Sequence, residues 1–567
     1  MSLGFAACRL GSDDAVRLAL PEGFEAQVAV DSLGPARHLA VNGNGDIYIK
    51  LRKSDDGGSI VALRDTTGDH RPDVIERFGT FNDDQGGYHT EAKIYDGYLY
   101  VSTHLNVYRY KLAPDQLVPT GPPDTLVVDD HEHGSHEHIA KPLAFDGQGH
   151  MYVPYGAPTN ACQEPKRTPG VPGQDPCPNL ANHAGIWQYD TDGIKQTQAD
   201  GRRVATGLRS IVGMDWNPVD GKLYAVVHGR DDLHRLWPNL FSPWDNAMLP
   251  SEEFVRVTEG NDFGWPYCYY DQIQGKKVLA PEYGGDGNVV GRCSAFEDPA
   301  VGFPGHFAPN DVMFYQGDLF PDRYKQGAFI AFHGSTIRNP YPQAGYFVAF
   351  VPFENGAPAG DWEVFANGFA GVDPVENTND AKHRPVGLAT GPDGSLYITE
   401  SNVGKTWRIT FTGDKAAFGE AQLARMEEDK QTSNNVRTPD RQADNLQQGE
   451  PLAGEKIYLT YCATCHQRDG QGAPPRYPPL AETEWVTGDK RRLISVILNG
   501  LEDPIEVRGE PYYNTMPQHS FLSNEDVAKV ATYVRQSFGN NASAVTAEDV
   551  YHIRTDTTSE QGSSDEN

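Results

Sequence analysis

The chain has 567 residues, enough for two or more domains, and its 38% hydrophobic content with 59 Gly and 41 Pro is that of a globular protein. It contains no run of about 18 apolar residues that could span a bilayer. A formal charge of −30 disfavours nucleic acid and anionic membrane surfaces as partners, and suits either a solvated acidic surface or docking to basic redox proteins.

At the N-terminus, Phe5-Ala6-Ala7-Cys8 places small residues before a Cys, as at the end of a lipoprotein signal, although only seven residues precede it. Cys8 reads either as a lipidation site, the one route to membrane contact, or as an unpaired thiol. A single turn grammar then recurs for most of the chain. It appears as NGNGDIYIK around Gly45, YDGYLYVST around Gly97, FDGQGHMYVPYG around Gly147, PVDGKLYAVVHG around Gly221, FYQGDLFPDRYKQGAFIAFHG around Gly317 and GPDGSLYITES around Gly394. Gly turns flanked by alternating aromatic and β-branched residues predict hairpins, and a spacing of about fifty residues or more suits four-stranded blades. Six repeats predict a six-bladed β-propeller over residues 20–412, with loops converging at one end of a central channel.

Between these turns lie residues with chemistry of their own. The segment Asp65-Thr66-Thr67-Gly68-Asp69 lacks the further acids of a calcium loop and reads as a β-turn. His131, His133, His136 and His138 form a run that could share a transition metal or simply be solvated. Cys162 and Cys177 bracket a Pro/Gly-rich loop, and Cys268 and Cys293 bracket a Gly-rich one. Two local disulfides, and with them an oxidising compartment, are expected.

Residues 413–448 turn charged and amide-rich and read as a linker with a short helix at its start. The next segment, 449–540, carries Cys462-Ala463-Thr464-Cys465-His466, two thiols and a His at the spacing that attaches haem c through thioethers and ligates its iron. Met516, in YYNTMPQHSF, supplies the opposite axial ligand, and GQGAPPRYPPL is suited to wrapping a cofactor edge. Arg492–Leu498 reads as helix, as does the stretch opened by Ser523 and carrying Val527, Val530, Ala531 and Val534. This region resembles a class I c-type cytochrome, a small all-α domain. Residues 541–567 have the Ser/acid bias of disorder.

The loops of the β region resemble the quinoprotein sugar dehydrogenases, on GLRSIVGMDWNPVDGKLYAVVHGRDDL, PSEEFVRVTEGNDFGWPYC, DDQGGYH, PAVGFPGHFAP and HRPVGLATGPDGSLYITES. That resemblance implies pyrroloquinoline quinone (PQQ) and Ca²⁺ as cofactors. It implies His138 as the base that takes the hydroxyl proton, with His136 as the alternative, and Gln85 as a hydrogen-bonding neighbour of substrate and base. Arg209 aligns with the Arg beside the quinone oxygens, and Ser210 replaces the family's usual Asn. Arg384, Lys382 and Arg338 complete the PQQ-binding cations. The backbone carbonyls of Gly229 and Arg230 are the implied calcium ligands, with His228 replacing the usual amide. The whole then reads as a periplasmic or exported quinohaemoprotein that oxidises a sugar or alcohol and passes electrons through the haem to an external cytochrome or oxidase. A carbohydrate-binding or docking propeller carrying a cytochrome, with no dehydrogenase activity of its own, is the alternative.

Overall fold

In the computed structural model, which describes residues 17–55, 57–81, 90–131, 137–441 and 453–561, each of the six Gly turns joins the first two strands of one four-stranded antiparallel blade, and blade 3 gains a fifth, parallel strand, Asn261–Asp262. Cys8, Gln85, His133 and His136 lie outside the described residues. Blade 1 comprises Ala36–Val41, Ile47–Asp55, Gly58–Arg64 and Val74–Phe78, and blade 2 comprises Ala92–Tyr95, Tyr98–Ser102, Asn106–Lys111 and Asp124–Val128. Blade 3 is built on Ala144–Phe145, His150–Tyr155, Gly185–Asp190 and Arg202–Thr206, and blade 4 on Ile211–Asn217, Lys222–Val227, Glu252–Val257 and Val301–Phe303. Blade 5 uses Pro309–Phe314, Ala328–Phe332, Phe347–Val351 and Glu363–Ala366. Blade 6 takes Pro385–Thr390, Leu396–Glu400 and Thr406–Phe411 from the far end of the repeat region and Phe24–Val30 from the near end, with Phe24 opposite Phe411. Pairing the two ends of the repeat region within one blade closes the ring.

The alternating strands send aromatic and branched side chains between blades. Phe24, Tyr324, Phe329, Phe350, Phe365 and Phe411 fill one such layer, with rings of Phe24 and Phe365 meeting edge to face at 5.1 Å. First strands of different blades contact one another around the axis, and polar side chains fill the space between them. His38 Nε2 meets the Asn310 carbonyl at 2.7 Å and His38 Nδ1 meets Glu91 at 3.3 Å. Lys93 Nζ donates to Asp215 and to the Leu143 and Met214 carbonyls. Residues from four blades are thereby cross-linked by buried charge-assisted bonds, which hold the channel floor in one geometry.

In the C-terminal region, helices Ala453–Tyr461 and Asn524–Gln536 cross with Gly454 at the contact. A Cβ there would meet the Lys529 carbonyl oxygen at 2.2 Å, so only glycine allows this approach. Ser523 caps the second helix, its side chain accepting from Asp526 N, as its sequence predicts. Lys490–Asn499 is helical where Arg492–Leu498 was expected to be.

Two expectations about the connecting and terminal segments need correction. Within 413–448, helix Glu420–Thr432 is not a free tether: Met426 and Val436 are buried in the core cluster shared by blades 4 and 5. Trp244 Nε1 also donates to the Pro439 carbonyl. The tail is not uniformly disordered, because Ala547–Gln561 is a helix whose Val550 and Ile553 are buried with Leu493, Leu522 and Val527. Three positions apart, the two side chains share one helical face, and burying each is worth about 1.5–3 kcal/mol, which offsets the unfavourable composition around them.

Candidate functional site

At the mouth of the propeller lies a cavity of about 190 Å³ lined by charged and imidazole side chains, among them His138, Arg209, Asp231, Glu252, His333 and Arg384. Loops between blades deliver them. His138 precedes the first strand of blade 3, Arg209 links blade 3 to blade 4, and Asp231 follows the second strand of blade 4. Gly156 lets two of these loops meet: a Cβ there would come within 2.3 Å of the His138 carbonyl oxygen. Next along, Ala157 N donates to the Arg209 carbonyl at 2.7 Å.

His138 is buried, and its Nδ1 meets the Ala157 carbonyl at 2.6 Å. Only an Nδ1–H can make that bond, so the neutral tautomer leaves Nε2 as a lone-pair acceptor. Among the described residues Nε2 has no hydrogen-bond partner. Burial first, and then the neighbouring Arg209 guanidinium, push the imidazole well below its ordinary pKa. A buried polar atom left unpaired is costly, at about 1–3 kcal/mol. Its position on a cavity wall fits an acceptor reserved for a ligand proton.

Asp231 organises the cations. Its Oδ2 accepts from Arg167 Nη2 at 2.9 Å, Arg209 Nη2 at 3.0 Å and Arg476 Nη2 at 3.4 Å. Burial alone would raise this carboxyl; Arg209, Arg167 and Arg476 outweigh it and hold it well below the carboxylate range. Arg167 also pairs with Glu137 and with Asp232, which in turn holds Arg235. Glu252 behaves oppositely. Burial pushes it up to about 8 even though Gly229 N and Ala308 N donate to it, so it is neutral at pH 7.

The sequence-expected residues divide. His138, Arg209, Ser210, Gly229 and Arg384 all line the cavity. Arg384 donates to the His333 and Gly334 carbonyls at 3.1 and 2.7 Å and stands over the Tyr346 ring, so among the described residues no carboxylate pairs with its charge. Arg338 and Lys382 do not line the cavity. Arg338 is buried and donates to the Ala247 carbonyl at 3.0 Å, whereas Lys382 is exposed, one residue before the chain turns inward at His383 and Arg384. The expected calcium turn is also differently used: Arg209 Nη1 donates to the Gly229 carbonyl at 2.6 Å, and the Arg230 side chain pairs with Glu282. A divalent ion on that same carbonyl would face a guanidinium, so this donor set does not fit calcium. Among the described residues no three His, Cys, Asp or Glu side chains converge as metal ligands.

Sequence reading missed Arg37, Arg52, Glu137, Asp231, Glu252, His306 and Arg476 as cavity residues. Asp231, one position beyond Arg230 in the motif, carried a signal; the others are brought in by separations that no local pattern encodes. Both expected disulfides are present, joining Cys162 to Cys177 and Cys268 to Cys293.

The second cavity is apolar. Cys462, His466 and Met516 line it with Leu480, Val486 and Ile497, in a space of about 80 Å³. His466 Nδ1 meets the Pro478 carbonyl at 2.9 Å, which fixes the ring and leaves Nε2 as the metal-binding nitrogen. A free thiol, a fixed imidazole and a thioether on one apolar cavity, with the second free thiol, Cys465, three residues from the first, fit a covalently held haem.

The two regions touch. Gln467 Nε2 donates to the Thr336 carbonyl at 3.1 Å, Asn379 Nδ2 to the Gly472 carbonyl at 3.0 Å, and Lys53 pairs with Glu510 at 2.6 Å.

Comparison with known proteins assigns both parts. Residues 18–412 match the TrAA12-like family, and residues 452–538 match the cytochrome c family. A PQQ-dependent sugar dehydrogenase of Hypocrea jecorina is 23% identical over 56% of this chain and 72% of its own. Cytochrome c-552 of Thermus thermophilus is 37% identical over 18% of this chain and 83% of its own. An uncharacterized protein of Borreliella burgdorferi is 29% identical over 37% of this chain, which spans 48% of that protein's length. Two solved structures share the propeller fold. One is a family AA12 carbohydrate-active enzyme of Trichoderma reesei (TM-score 0.54, 20% identity, 70% of this chain and 98% of that one). The other is the PQQ domain of pyranose dehydrogenase from Coprinopsis cinerea (TM-score 0.54, 17% identity, 70% and 97%).

Proposed function

The chain belongs to the TrAA12-like family and carries a cytochrome c domain; from that premise we propose that it oxidises a hydroxyl of a sugar or related alcohol with PQQ and hands the electrons to its own haem c. The observation that carries this reading is the unpartnered Nε2 of His138 on the wall of an arginine-rich cavity. Arg37, Arg52, Arg209, Arg384 and Arg476 give that wall five guanidiniums, against Glu137 and Asp231 as carboxylates and a protonated Glu252. Such an excess of positive charge suits a tricarboxylate.

When bound, PQQ supplies the two-electron acceptor for a substrate hydride, and haem supplies a one-electron relay. His138 accepts the hydroxyl proton at Nε2 while its Nδ1–H stays on the Ala157 carbonyl, so the ring keeps its orientation as it becomes charged. Arg209 is held by Asp231, the Gly229 carbonyl and Asn160. It therefore presents a fixed positive charge beside the reacting groups and needs no reorganisation to stabilise developing negative charge. His228, His306 and His333 are all lowered by burial and stay neutral near pH 7, leaving the arginines as the binding charge. Calcium carries no step here, since the Gly229 turn is satisfied by Arg209. His466 and Met516 would hold the haem iron, and Cys462 and Cys465 would form its thioethers. The two disulfides support an oxidising compartment, periplasmic or exterior, and electrons leave the haem to an external acceptor.

The test is to load the haem-containing chain with PQQ, add a panel of aldoses and alcohols, and follow the reduced-haem absorbance. The reading expects reduction that depends on both PQQ and substrate. Haem that stays oxidised with every substrate, while PQQ is demonstrably bound, would contradict it.

A further inference from the structure

The wall of the propeller cavity is not made by the propeller alone. Ala473, Pro474, Pro475 and Arg476, all from the haem-bearing domain, line it together with His138 and Arg209. The loop that contains them is tied at both ends to the haem-ligating histidine. Gly472 N donates to the His466 carbonyl at 2.9 Å, and the Pro478 carbonyl meets His466 Nδ1 at 2.9 Å. Within it, Arg476 N donates to the Ala473 carbonyl, and Ala473 and Tyr477 exchange both backbone bonds. The loop is therefore a closed, internally bonded unit. Its outward side chain, Arg476, reaches Asp231 of the propeller at 3.4 Å, over the ring of the buried Tyr477 at 5.2 Å.

The electrostatics at this point are uneven. Asp231 carries one negative charge and faces Arg209, Arg167 and Arg476. Arg167 has Glu137 and Asp232 as further carboxylate partners. Arg209 shares this carboxylate with Arg476, and its other hydrogen bonds go to the Asn160 amide oxygen and to the Asn160 and Gly229 carbonyls. Both guanidiniums line the cavity, one from each domain, and Arg476 is about one-third exposed, at 32%. An anion in the cavity faces both.

We propose that the haem domain is part of the cofactor-binding site: the segment Ala473–Arg476 closes the propeller cavity, and Arg476 is a binding and positioning residue for the anionic quinone held there. This rests on the reading of the cavity as a PQQ site. It also means that the loop orienting the haem-ligating His466 is the one that meets the quinone, so the two redox centres share one rigid connection.

The full haem-containing chain and its Arg476→Ala and Arg476→Lys variants, checked for an unchanged haem spectrum, are titrated with PQQ in the absence of substrate, with affinity read by equilibrium dialysis. The proposal expects PQQ affinity to fall about tenfold or more in Arg476→Ala, the loss of one charge-assisted contact, and to recover in large part in Arg476→Lys. If Arg476 only docks the two domains, Arg476→Ala binds PQQ as the native chain does while its haem is reduced more slowly, and the proposal is overturned. Failure of the native chain itself to bind PQQ would instead remove the reading on which the proposal rests.

Discussion

The two cavities of this molecule differ in almost every physical respect. The propeller cavity is walled by guanidiniums, imidazoles and carboxylates whose charges are set by one another; the haem cavity is walled by Leu, Ile, Val, Pro and Trp with His466, His519, Cys462 and Met516. The first arrangement suits heterolytic chemistry, in which a proton must be accepted at a fixed atom and negative charge must be met as it develops. The second suits electron transfer, in which a dry, apolar surround keeps polar groups from reorganising around a changing charge. Separation of the two tasks explains why His138 has a lone pair free among charges while His466 is locked by a backbone carbonyl among hydrocarbons.

That contrast can be broken from either side. The largest effect expected is from His138→Ala, which removes the proton acceptor: sugar-dependent turnover should fall by about 10²–10⁴, while the haem spectrum and reduction by dithionite remain native. Activity within a few-fold of native would move the base elsewhere. Next is Asp231→Asn, which leaves Arg209, Arg167 and Arg476 without their shared carboxylate. Loss of one partner from a buried charge set costs about 3–5 kcal/mol, readable as a large shift in the denaturation midpoint of the propeller, with haem absorbance unaffected.

Acid provides a milder test of the same asymmetry. The folded-state pKa of His228 is lowered by burial to about 4, against an ordinary 6.5. The unfolded chain therefore binds this proton first as pH falls, and stability is lost progressively from about pH 6.5 down to 4, by about 3 kcal/mol from this group. His138, His306 and His333 are lowered too and add in the same direction. Glu252, raised to about 8, works the other way: stability falls as pH rises from about 4.5 to 8. In the haem domain burial likewise lowers His519, to about 3; with four such imidazoles in the propeller, the larger loss of stability below about pH 6 is predicted there, measurable by comparing tryptophan fluorescence with haem absorbance during acid titration. The smallest effect belongs to the C-terminal helix. Ile553→Val should destabilise the haem domain by about 0.5–1.5 kcal/mol, and no change would mean that the helix does not pack as described.

What could be read from the sequence follows how local each signal is. All six Gly turns and the Cys-x-x-Cys-His segment are encoded within a few residues, the two disulfides within separations of 15 and 25, and each is where its motif placed it. His138 needed a resemblance, since four histidines in eight residues look alike in sequence, and its bond to the Ala157 carbonyl is made across 19 residues. The acidic partners of the arginines were out of reach. Asp231 and Glu137 meet Arg167 across 64 and 30 residues, and no motif links them. Arg338 lies in the loop between Ala328–Phe332 and Phe347–Val351, and the sequence carries no record of which way a loop side chain turns. The tail misled by composition: its Ser, Thr and acidic residues hide the Val550–Ile553 spacing that fixes the helix. Arg476 was hidden by context, lying in a proline-rich loop that reads as a wrapping for haem but also faces the other cavity.

The most direct test of the central claim is rapid mixing of the PQQ-loaded, haem-containing chain with an oxidisable sugar at enzyme concentrations low enough to exclude collisions between molecules. The account predicts a haem-reduction rate that is independent of protein concentration, because quinone cavity and haem cavity share the Gly472–Pro478 loop within one molecule. A rate proportional to protein concentration would show that electrons pass between chains, and would contradict it.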